Sequence, residues 1–396
     1  MPRQTEVYEE ELTMKIEQKR WTEAHGWEPD TPGALGESTQ LVLVFGATSI
    51  LREQEHFQGP LQIGKVYPGA HILGCSTAGE ICGTRVLDNS LVATAVRFEH
   101  TRLMGAQVKL SKVADSFQAG EQLAMSLDRD GLVHVLVISD GIQVNGSALV
   151  RGLVKHLPPE VAVTGGLAGD GERFEQTLVF LEDNTPEEGK IAALGFYGTR
   201  LKVGYGSAGG WDPFGPNRLI TRSKGNVLYE LDGRPALELY KKYLGEYAAD
   251  LPASALLFPL QLRTPEDEPG LVRTILSIDE KEQSMTFAGD VSEGTLARFM
   301  KANVERLIDG AVEAAESSYE VIGSSAPDLA ILVSCIGRRL ALKQRIEEEV
   351  EGVRDILGDH TVLTGFYSYG EIAPFIPSAV SKLHNQTMTI TTFLEE

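Results

Sequence analysis

The chain has 396 residues, which is enough for two or three domains with a substantial buried core. Hydrophobic residues make up 42%, as in ordinary globular proteins, and 56 acidic against 36 basic residues give a formal charge of −20. A surface this negative repels nucleic-acid phosphates and anionic lipid headgroups, so we expect no nucleic-acid or membrane partner. The 41 glycines, in a chain of normal apolar content, indicate many special turns rather than disorder.

The amino-terminal segment and the cysteines favour a cytoplasmic protein. Residues 1–21 are rich in charge and have no apolar core of the signal-peptide kind, and no run has the length of a membrane-spanning helix. Cys75, Cys82 and Cys335 are too few for a disulfide framework, and no Cys/His cluster has the spacing of a zinc site. We therefore expect neither a metal nor a cofactor.

The predicted elements alternate between strands and helices. Residues 1–38 are interpreted as a polar extension with a helix from Thr5 to Trp21. Continuous apolar runs predict buried strands over residues 41–45, 133–138 and 329–333. Helices are predicted over residues 115–127, 147–156, 235–244, 293–317 and 338–357. A hairpin over residues 272–287 and a last strand over residues 386–393 complete the prediction of an α/β fold with mixed sheets and flanking helices.

A turn of glycine followed by an acid recurs after several predicted strands. The acids concerned are Glu80, Asp170, Asp290 and Glu371. Glu80 and Glu371 each follow a strand-ending glycine at the same distance in sequence, which predicts two related halves with an internal duplication. The copy that ends at Asp290 is the weakest, because prolines interrupt it. The alternative is that such turns are simply common in glycine-rich α/β proteins.

The turn that begins at Gly74 offers the groups of a small-ligand site. Cys75, Ser76 and Thr77 are small and leave room for a ligand, and Gly79 allows close backbone approach. Glu80 supplies a carboxylate for a ligand amine. The alternative is that each acid of these turns caps its own loop by accepting backbone N–H groups.

Cys75 also allows an enzymatic interpretation. With His71 as base, Cys75 or Ser76 would be the nucleophile of a hydrolase or transferase. The alternative is a small cysteine buried at the end of a strand. A third interpretation is a scaffold that binds a protein partner through the charged helix at residues 338–357, whose alternative is an ordinary solvated helix face.

One nucleotide-binding pattern fails. Residues 204–209 match G-x-G-x-x-G, but Pro213 and Pro216 follow where the dinucleotide fold needs a helix. We therefore exclude a dinucleotide site. Trp211, which lies beside this segment, either stacks on a ligand or closes the end of a sheet.

Seven short motifs, taken together, resemble the FIST family. They occupy residues 74–81, 164–170, 210–215, 226–236, 334–338, 364–372 and 383–387. The resemblance runs from about Leu41 to the carboxyl terminus. It implies an amino-terminal extension at residues 1–38, a FIST N-like domain at 39–234 and a FIST C-like domain at 235–396.

The resemblance implies a sensory module of prokaryotic signalling that binds a small ligand, with amino acids proposed for the family. Family members often accompany transmitter domains, and only three residues follow Phe393, so we expect the signal to pass to a separate partner protein. The alternative is that the chain acts alone. On this interpretation Glu80 or Glu371 faces the ligand ammonium, and turn N–H groups or Arg338 face its carboxylate. The predicted ligand-binding residues are Cys75, Ser76, Thr77, Gly79, Glu80, Gly166, Asp170, Trp211, Arg338, Tyr367, Tyr369, Gly370, Glu371 and Asn385.

Overall fold

The computed structural model describes residues 14–30, 33–52, 63–182, 185–263, 270–323, 326–375 and 379–396. Within these residues the strands form four sheets, three of which are mixed, and helices pack on their outer faces. The predicted α/β class with mixed sheets and flanking helices is confirmed.

The first sheet lies in the amino-terminal part of the chain. Its strands, in spatial order, are β11 (Val179–Leu181), β4 (His71–Ser76), β3 (Leu41–Gly46), β7 (Ser90–Arg97), β1 (Lys15–Thr22) and β2 (Gly26–Glu28). Strands β3 and β4 are parallel, and the other neighbours are antiparallel. Two short helices, α1 (Thr48–Arg52) and α2 (Ile63–Val66), place Leu51 and Ile63 against the outer face of this sheet.

The second and third sheets repeat this arrangement. The second contains β25 (Lys382–His384), β24 (Gly370–Ala373), β10 (Ala162–Leu167), β9 (Leu132–Ser139), β12 (Lys190–Tyr197) and β8 (Arg102–Lys109). The third contains β13 (Leu201–Ala208), β26 (Met388–Glu395), β22 (Leu329–Cys335), β23 (Val362–Ser368), β5 (Glu80–Cys82) and β6 (Arg85–Leu87). Each has one parallel pair, β9 with β10 and β22 with β23. The covering helices are α3 (Ser116–Ser126) and α4 (Gly146–His156) on the second sheet, and α6 (Val304–Ile322), α7 (Ile336–Leu342) and α8 (Ile346–Leu357) on the third.

The fourth sheet is antiparallel and belongs to an excursion of the chain between β13 and α6. Its strands are β18 (Leu271–Arg273), β17 (Leu260–Arg263), β21 (Leu296–Ala302), β14 (Trp211–Lys224), β15 (Val227–Leu231), β20 (Ser284–Phe287) and β19 (Ile275–Asp279), with β16 (Arg234–Pro235) beside β15. Helix α5 (Ala236–Leu244) packs on it. Short 3-10 segments lie at Gly36–Ser38, Leu110–Lys112, Gly245–Asp250, Ala253–Leu257 and Lys343–Arg345. The weak fourth copy of the sequence repeat falls in this sheet, which has no parallel pair in the described residues.

The first three sheets are linked in a ring. In each, the parallel pair lies beside an antiparallel strand (β7, β12 or β26) and then a strand from earlier in the chain (β1, β8 or β13). The strand that follows each glycine–acid turn leaves its own sheet, because β5 pairs with β23, β24 pairs with β10, and β11 pairs with β4. The repeated unit therefore occurs three times in the described chain, and each unit completes the sheet of another.

The core of the ring is formed by the inner faces of the three sheets. Leu43 of the first, Ile138 of the second and Val333 of the third belong to one buried apolar cluster. Phe45 and Phe366 join the first and third sheets with ring centroids 4.8 Å apart. Burial of this apolar surface is the main source of stability for the ring.

Most predicted elements are found where the sequence indicates them. The three apolar runs lie within β3, β9 and β22, and the helices predicted at residues 115–127, 147–156 and 235–244 correspond to α3, α4 and α5. Strands β19 and β20 form the predicted hairpin, and β26 is the predicted last strand. No helix follows the glycine pattern at residues 204–209, since the chain continues from β13 into β14, as expected from the two prolines.

The helix predicted from Thr5 to Trp21 is wrong where the structure describes it, and residues 5–13 lie outside the described part. Residues 15–22 form β1, which pairs with β7 from Lys15 opposite Arg97 to Thr22 opposite Ser90. The Gln18 amide also donates to the Leu363 carbonyl at 2.9 Å. Residues 15–22 are therefore an inner strand of the first sheet, between β7 and β2.

Two other predicted helices begin or continue differently. Residues 296–302 of the helix predicted at 293–317 form β21, and α6 begins only at Val304, where the Asn303 side chain accepts from the Arg306 amide at 3.4 Å. The helix predicted at 338–357 is divided into α7 and α8 at Lys343, whose φ of +53° is left-handed and interrupts the helical backbone.

Candidate functional site

The loop that follows β10 is held in place by Tyr369, which lies in the carboxyl-terminal part of the chain. We call residues 170–176 the Asp170 loop. The Tyr369 hydroxyl accepts the amides of Asp170 at 2.9 Å and Phe174 at 3.3 Å, and it donates to the Gly171 carbonyl at 3.0 Å. Its ring stacks on Phe174 with centroids 4.2 Å apart. The structure therefore brings together two residues, Asp170 and Tyr369, that the sequence had placed in the site.

Asp170 is a fixed, buried carboxylate with 1% exposure. Its Oδ1 accepts from Arg173 Nε at 3.1 Å and Nη2 at 2.5 Å, while Oδ2 accepts the amides of Glu175 at 3.3 Å and Gln176 at 3.2 Å. Burial opposes ionisation, but these donors outweigh it and hold the pKa of Asp170 below its usual value. The carboxylate is therefore charged at neutral pH.

A cavity of about 280 Å³ lies beside this carboxylate, and we call it the Asp170 cavity. Helix α1 lines it with Thr48, Ser49 and Arg52, and the Asp170 loop lines it with Asp170, Arg173, Glu175 and Gln176. Two of the lining residues, Thr48 and Gln176, each carry a buried oxygen, Thr48 Oγ1 and Gln176 Oε1, that has no hydrogen-bond partner among the described residues. The Thr48 hydroxyl lies close to the Asp170 carboxylate but outside hydrogen-bond geometry. Buried polar atoms normally have partners, so these two indicate a site for a bound polar group.

A second, larger cavity of about 690 Å³ shares Arg173 with the first. It lies between the Asp170 loop, α7 and the fourth sheet, and apolar side chains such as Phe174, Leu256 and Ile275 dominate its wall. Neither Thr48 nor Gln176 lines it. Its size suits a ligand, but the unpartnered polar oxygens belong to the smaller Asp170 cavity.

Glu80 and Glu371 occupy equivalent positions in two of the repeated units, and both are buried. Hydroxyl groups of nearby side chains donate to each carboxyl. The donors are Thr77 (2.5 Å) and Ser90 (2.6 Å) for Glu80, and Ser368 (2.6 Å) and Thr387 (3.0 Å) for Glu371. Neither glutamate lines the Asp170 cavity or the larger cavity beside it. The turn before Glu80 nevertheless contacts the residues around Asp170, because the Gly169 and Gly171 amides donate to the Ser76 and Thr77 carbonyls at 2.9 and 3.1 Å.

These two glutamates make stability depend on pH. Burial raises the pKa of each to about 7, against an ordinary value of 4.5. As pH rises from about 4.5 to 7 the unfolded chain ionises while the folded chain resists, so both groups lower stability across this window. We expect the free energy of unfolding of the double variant Glu80→Gln/Glu371→Gln to fall less than that of the wild type as the pH rises from 5 to 8. The difference should be of the order of 3 kcal/mol per carboxyl.

Urea denaturation at the two pH values measures this difference, and the comparison cancels the titration of all other groups. Thr387→Val is a useful third variant, because it removes one donor to the Glu371 carboxyl and leaves Glu80 untouched. Equal pH dependence in the wild type and the double variant would contradict the assignment of raised pKa values.

Arg338 forms a buried ion pair inside the protein and is not available to bind a ligand carboxylate. Arg338 and Glu349 are both 0% exposed, and Nε and Nη2 of Arg338 donate to Glu349 Oε2 at 3.0 and 2.7 Å. Its remaining donors reach the carbonyls of Gly209 at 2.5 Å and Leu307 at 2.6 Å. Tyr367 donates to Glu349 Oε1 at 2.6 Å. The role expected for Arg338 is therefore wrong, and Tyr367 belongs to the same internal cluster.

The proposed Cys75–His71 pair is not formed. Both residues lie on β4, and four residues of extended strand separate them by about 13 Å. The His71 ring pairs with Glu182 instead, and burial raises the pKa of the Cys75 thiol well above its ordinary value. Ser76 Oγ accepts the Leu178 amide at 2.8 Å. A buried, protonated thiol without a base is a poor nucleophile, so the geometry gives the enzymatic interpretation no support.

Trp211 and Asn385 lie in the interior near the ends of the third sheet. The Trp211 indole donates to the Gln386 carbonyl at 2.9 Å, and the side chain is buried, so it closes the sheet rather than presenting a free face. The Asn385 amide donates to the Tyr369 carbonyl at 3.3 Å, while its Oδ1 is buried with no partner in the described chain. Asn385 therefore supports the backbone that carries Tyr369.

Three glycines in the predicted site serve close packing between protein groups. A Cβ on Gly79 would lie 2.0 Å from Arg339 Nη1, and one on Gly166 would lie 2.6 Å from Val333 Cγ1. Gly370 pairs with Leu167 across the β24–β10 ladder. At these positions the small residue is explained by neighbouring protein atoms.

Most residues that line the Asp170 cavity were not predicted from the sequence. Thr48, Ser49 and Arg52 follow directly after the first buried strand, and Arg173 and Gln176 follow the second glycine–acid turn. Ligand sites of α/β sheets form beyond the carboxyl ends of parallel strands, so polar residues after β3 were an available signal.

No helix in the described ranges has both the length and the apolar character needed to cross a lipid bilayer. No three His, Cys, Asp or Glu side chains in that part of the chain lie close enough together to hold a metal ion.

The chain is similar to an archaeal and a mycobacterial protein that are both named only as uncharacterized. It is 23% identical over 352 residues to the uncharacterized protein MJ1623 of Methanocaldococcus jannaschii, a match that covers 83% of this chain and 65% of that protein. The chain thus spans less than two thirds of that relative. It is 26% identical over 377 residues to the uncharacterized protein Rv0628c of Mycobacterium tuberculosis, covering 91% of this chain and 92% of the relative.

Among solved structures, cyanuric acid hydrolase from A. caulinodans aligns with 97% of this chain and 99% of its own, at a TM-score of 0.38 and 7% identity. A likeness this weak says nothing about chemistry. The family assignment is much clearer. The FIST N domain matches residues 40–234 and the FIST C domain matches residues 236–374. The chain therefore belongs to the FIST family of sensory signal-transduction domains.

Proposed function

We propose that the protein is a cytoplasmic sensor whose Asp170 cavity binds a small molecule with both an ammonium and a carboxylate group, as in a free amino acid. One observation carries the proposal. Thr48 and Gln176, which line the same cavity as the charged Asp170, carry buried oxygens that have no partner within the described part of the chain. A group that donates several hydrogen bonds and carries positive charge would supply donors to both oxygens beside the negative carboxylate.

The wall of the cavity matches the two ends of such a ligand. A primary ammonium has three N–H donors, and Gln176 and Thr48 offer oxygens that accept no bond from the described residues. The Asp170 carboxylate, which already accepts from Arg173 and two backbone amides, supplies negative charge beside them. Arg52 lines the same cavity with an exposed guanidinium, which can bind a carboxylate in a bidentate manner. The volume of about 280 Å³ suits a molecule of amino-acid size.

A ligand there would connect parts of two repeated units. Helix α1 belongs to the unit of the first sheet, and the Asp170 loop belongs to the unit of the second. The loop leads into β11, which pairs with β4 of the first sheet, and it is fastened by Tyr369 from the third unit. Binding would thus make the contact between all three units more rigid. A separate partner protein would then recognise the ligand-bound form.

A thermal-shift screen of the twenty amino acids, with their N-acetyl derivatives and the corresponding amines, tests the proposal. We expect stabilisation by one or a few amino acids and its loss on N-acetylation, because acetylation removes the ammonium. Thr48→Val should leave the ligand-free protein as stable as before or more so, since it removes an unsatisfied hydroxyl. It should nevertheless weaken binding by about tenfold.

Arg52→Gln should weaken binding of the amino acid and leave binding of the matching amine unchanged. Arg129→Gln is the matched control, because Arg129 is also an exposed arginine but lies outside the cavity. Stabilisation by no amino acid, or equal stabilisation of Thr48→Val, Arg52→Gln and Arg129→Gln, would overturn the proposal.

A further inference from the structure

The Asp170 loop lines the larger cavity as well as the Asp170 cavity. Glu172 and Phe174 line the larger cavity, of about 690 Å³, and Arg173 lines both. The rest of the wall comes from residues 247–257, the start of β19 and the end of α7 with the residue that follows it. The loop belongs to the FIST N region and the other segments to the FIST C region, so an occupant of this cavity would contact both.

The buried part of this wall is apolar, and its charges balance. Leu256 and Ile275 are 5% and 1% exposed. Ser254, a buried polar residue of the wall, already donates its hydroxyl to the Tyr247 carbonyl at 2.7 Å. The charged lining residues are exposed and comprise two acids and two bases, Glu172, Asp250, Arg173 and Lys343. Because neither sign dominates, the wall favours a neutral apolar occupant.

Phe174 brings an aromatic ring to this wall in a fixed position. The ring stacks on Tyr369 with centroids 4.2 Å apart and an interplanar angle of 14°. Tyr369 covers one face, so the other face and the edge are the parts of the ring that can line the cavity. Phe174 also has a φ of +54°, a left-handed conformation that is costly for a bulky side chain. Such conformations persist where the surrounding structure imposes them, and they concentrate at ligand sites.

A second left-handed residue lies in the same wall. Lys343 has a φ of +53° and separates α7 from α8, and Leu340 near the end of α7 also lines the cavity. Seven non-glycine residues of the described chain have a positive φ, and two of them, Phe174 and Lys343, line this one cavity. Two unfavourable backbone conformations around one space indicate that the fold maintains the shape of the cavity.

Tyr247 adds a second aromatic ring to the wall. It is 54% exposed, and its ring packs on Phe258 with centroids 5.1 Å apart. Leaving a large aromatic side chain in contact with water costs free energy, which an apolar occupant of the cavity would recover. The two rings of the wall, Phe174 and Tyr247, thus favour an aromatic occupant over an aliphatic one.

We infer that the larger cavity binds a neutral aromatic molecule, in addition to the ligand of the Asp170 cavity. A ring of this molecule stacks with an offset on Phe174, and Tyr247 contacts it nearer to the solvent. Leu256, Ile275 and Leu340 contact the remainder of the molecule.

Fluorescence titration with a matched pair of probes tests this inference. N-phenyl-1-naphthylamine is neutral, and 8-anilinonaphthalene-1-sulfonate is the same molecule with an added sulfonate. We expect the neutral probe to bind and the anionic probe to bind at least about tenfold more weakly. The alcohol 2-naphthol should displace the neutral probe, whereas its saturated analogue decahydro-2-naphthol should not, because it has no aromatic face.

Two variants locate the neutral probe. Phe174→Leu keeps an apolar side chain but removes the ring, and Ala253→Trp adds a bulky side chain at an exposed position of the wall. Each should weaken binding of the probe by about tenfold. Ala249→Trp is the matched control, since Ala249 is also exposed in the preceding 3-10 segment but does not line the cavity.

No binding of the neutral probe, equal binding of the two probes, or equal displacement by the two alcohols would overturn the inference. Unchanged affinity in both Phe174→Leu and Ala253→Trp, or an equal loss in Ala249→Trp, would place the probe elsewhere and overturn it too. Arg52 lines the Asp170 cavity and not the larger one, so Arg52→Gln should bind the probe as the wild type does. A failure of amino-acid binding would leave these results unchanged.

Discussion

Replacing Arg338 with methionine is expected to lower the free energy of unfolding by about 3–5 kcal/mol. The substitution leaves the Glu349 carboxylate fully buried without its cation, and the carbonyls of Gly209 and Leu307 lose their donors. Burying an unpaired charge costs far more than the loss of an ordinary contact. Urea denaturation, followed by circular dichroism, measures the effect.

The control is Arg345→Met, which breaks ion pairs with Glu305 and Glu348 in the same region. Those pairs are exposed, so we expect a loss below about 1 kcal/mol. Arg338→Met/Glu349→Leu removes both buried charges and should be more stable than Arg338→Met alone. A single variant as stable as the wild type, or a double variant less stable than the single one, would refute the assigned role of this pair.

Gly165→Ala is expected to destabilise the protein by at least about 3 kcal/mol. Gly165 lies inside β10 with a φ of +138°, and an added Cβ would lie 1.8 Å from the Val137 carbonyl oxygen of the neighbouring parallel strand. The clash involves backbone on both sides, so no side-chain movement relieves it. The equivalent contact between Gly365 and the Leu332 carbonyl shows that the third unit is built in the same way.

The variant Gly131→Ala distinguishes the steric clash at Gly165 from the backbone strain that a positive φ causes. Gly131 also has a positive φ, at +70°, but a Cβ there would meet no atom within 4 Å. We therefore expect it to cost only about 1 kcal/mol. Equal losses for Gly165→Ala and Gly131→Ala, measured by urea denaturation, would show that close strand approach is not what Gly165 provides.

The buried strands could be predicted because their sequences are continuous apolar runs. Strands β3, β9 and β22 are covered on both faces, so apolar residues occupy nearly every position instead of alternating with polar ones. Strand β1 was missed because it lies near the edge of its sheet and contains Lys15, Glu17 and Lys19, so its residues resemble a solvated helix. Its pairing with β7 is a long-range interaction that no local pattern displays.

The ring of three units was only partly visible in the sequence. The glycine–acid turns are local and could be recognised, whereas the exchange of β5, β24 and β11 between sheets depends on tertiary structure. The long excursion at residues 211–302 separates β13 from the rest of its unit and obscures the third repeat.

The candidate site likewise combines residues that the local sequence indicates with residues that only the tertiary structure brings together. Asp170 and Tyr369 were predicted from their turns, and they meet in the structure. Arg338 was expected to face a ligand because arginine is common in carboxylate sites, but its partner Glu349 lies on a different helix, which the sequence alone does not bring into contact. Thr48 lies far from Asp170 in sequence, and only the ring places the two in one cavity.

A crystal structure of the protein with the amino acid that most raises its unfolding temperature tests the central claim most directly. We predict ligand density in the Asp170 cavity, with the ammonium within hydrogen-bond distance of Asp170, Gln176 Oε1 and Thr48 Oγ1, and the carboxylate at Arg52. Density beside Glu80 or Glu371, or in the larger cavity that shares Arg173, with the Asp170 cavity holding only water, would contradict the account.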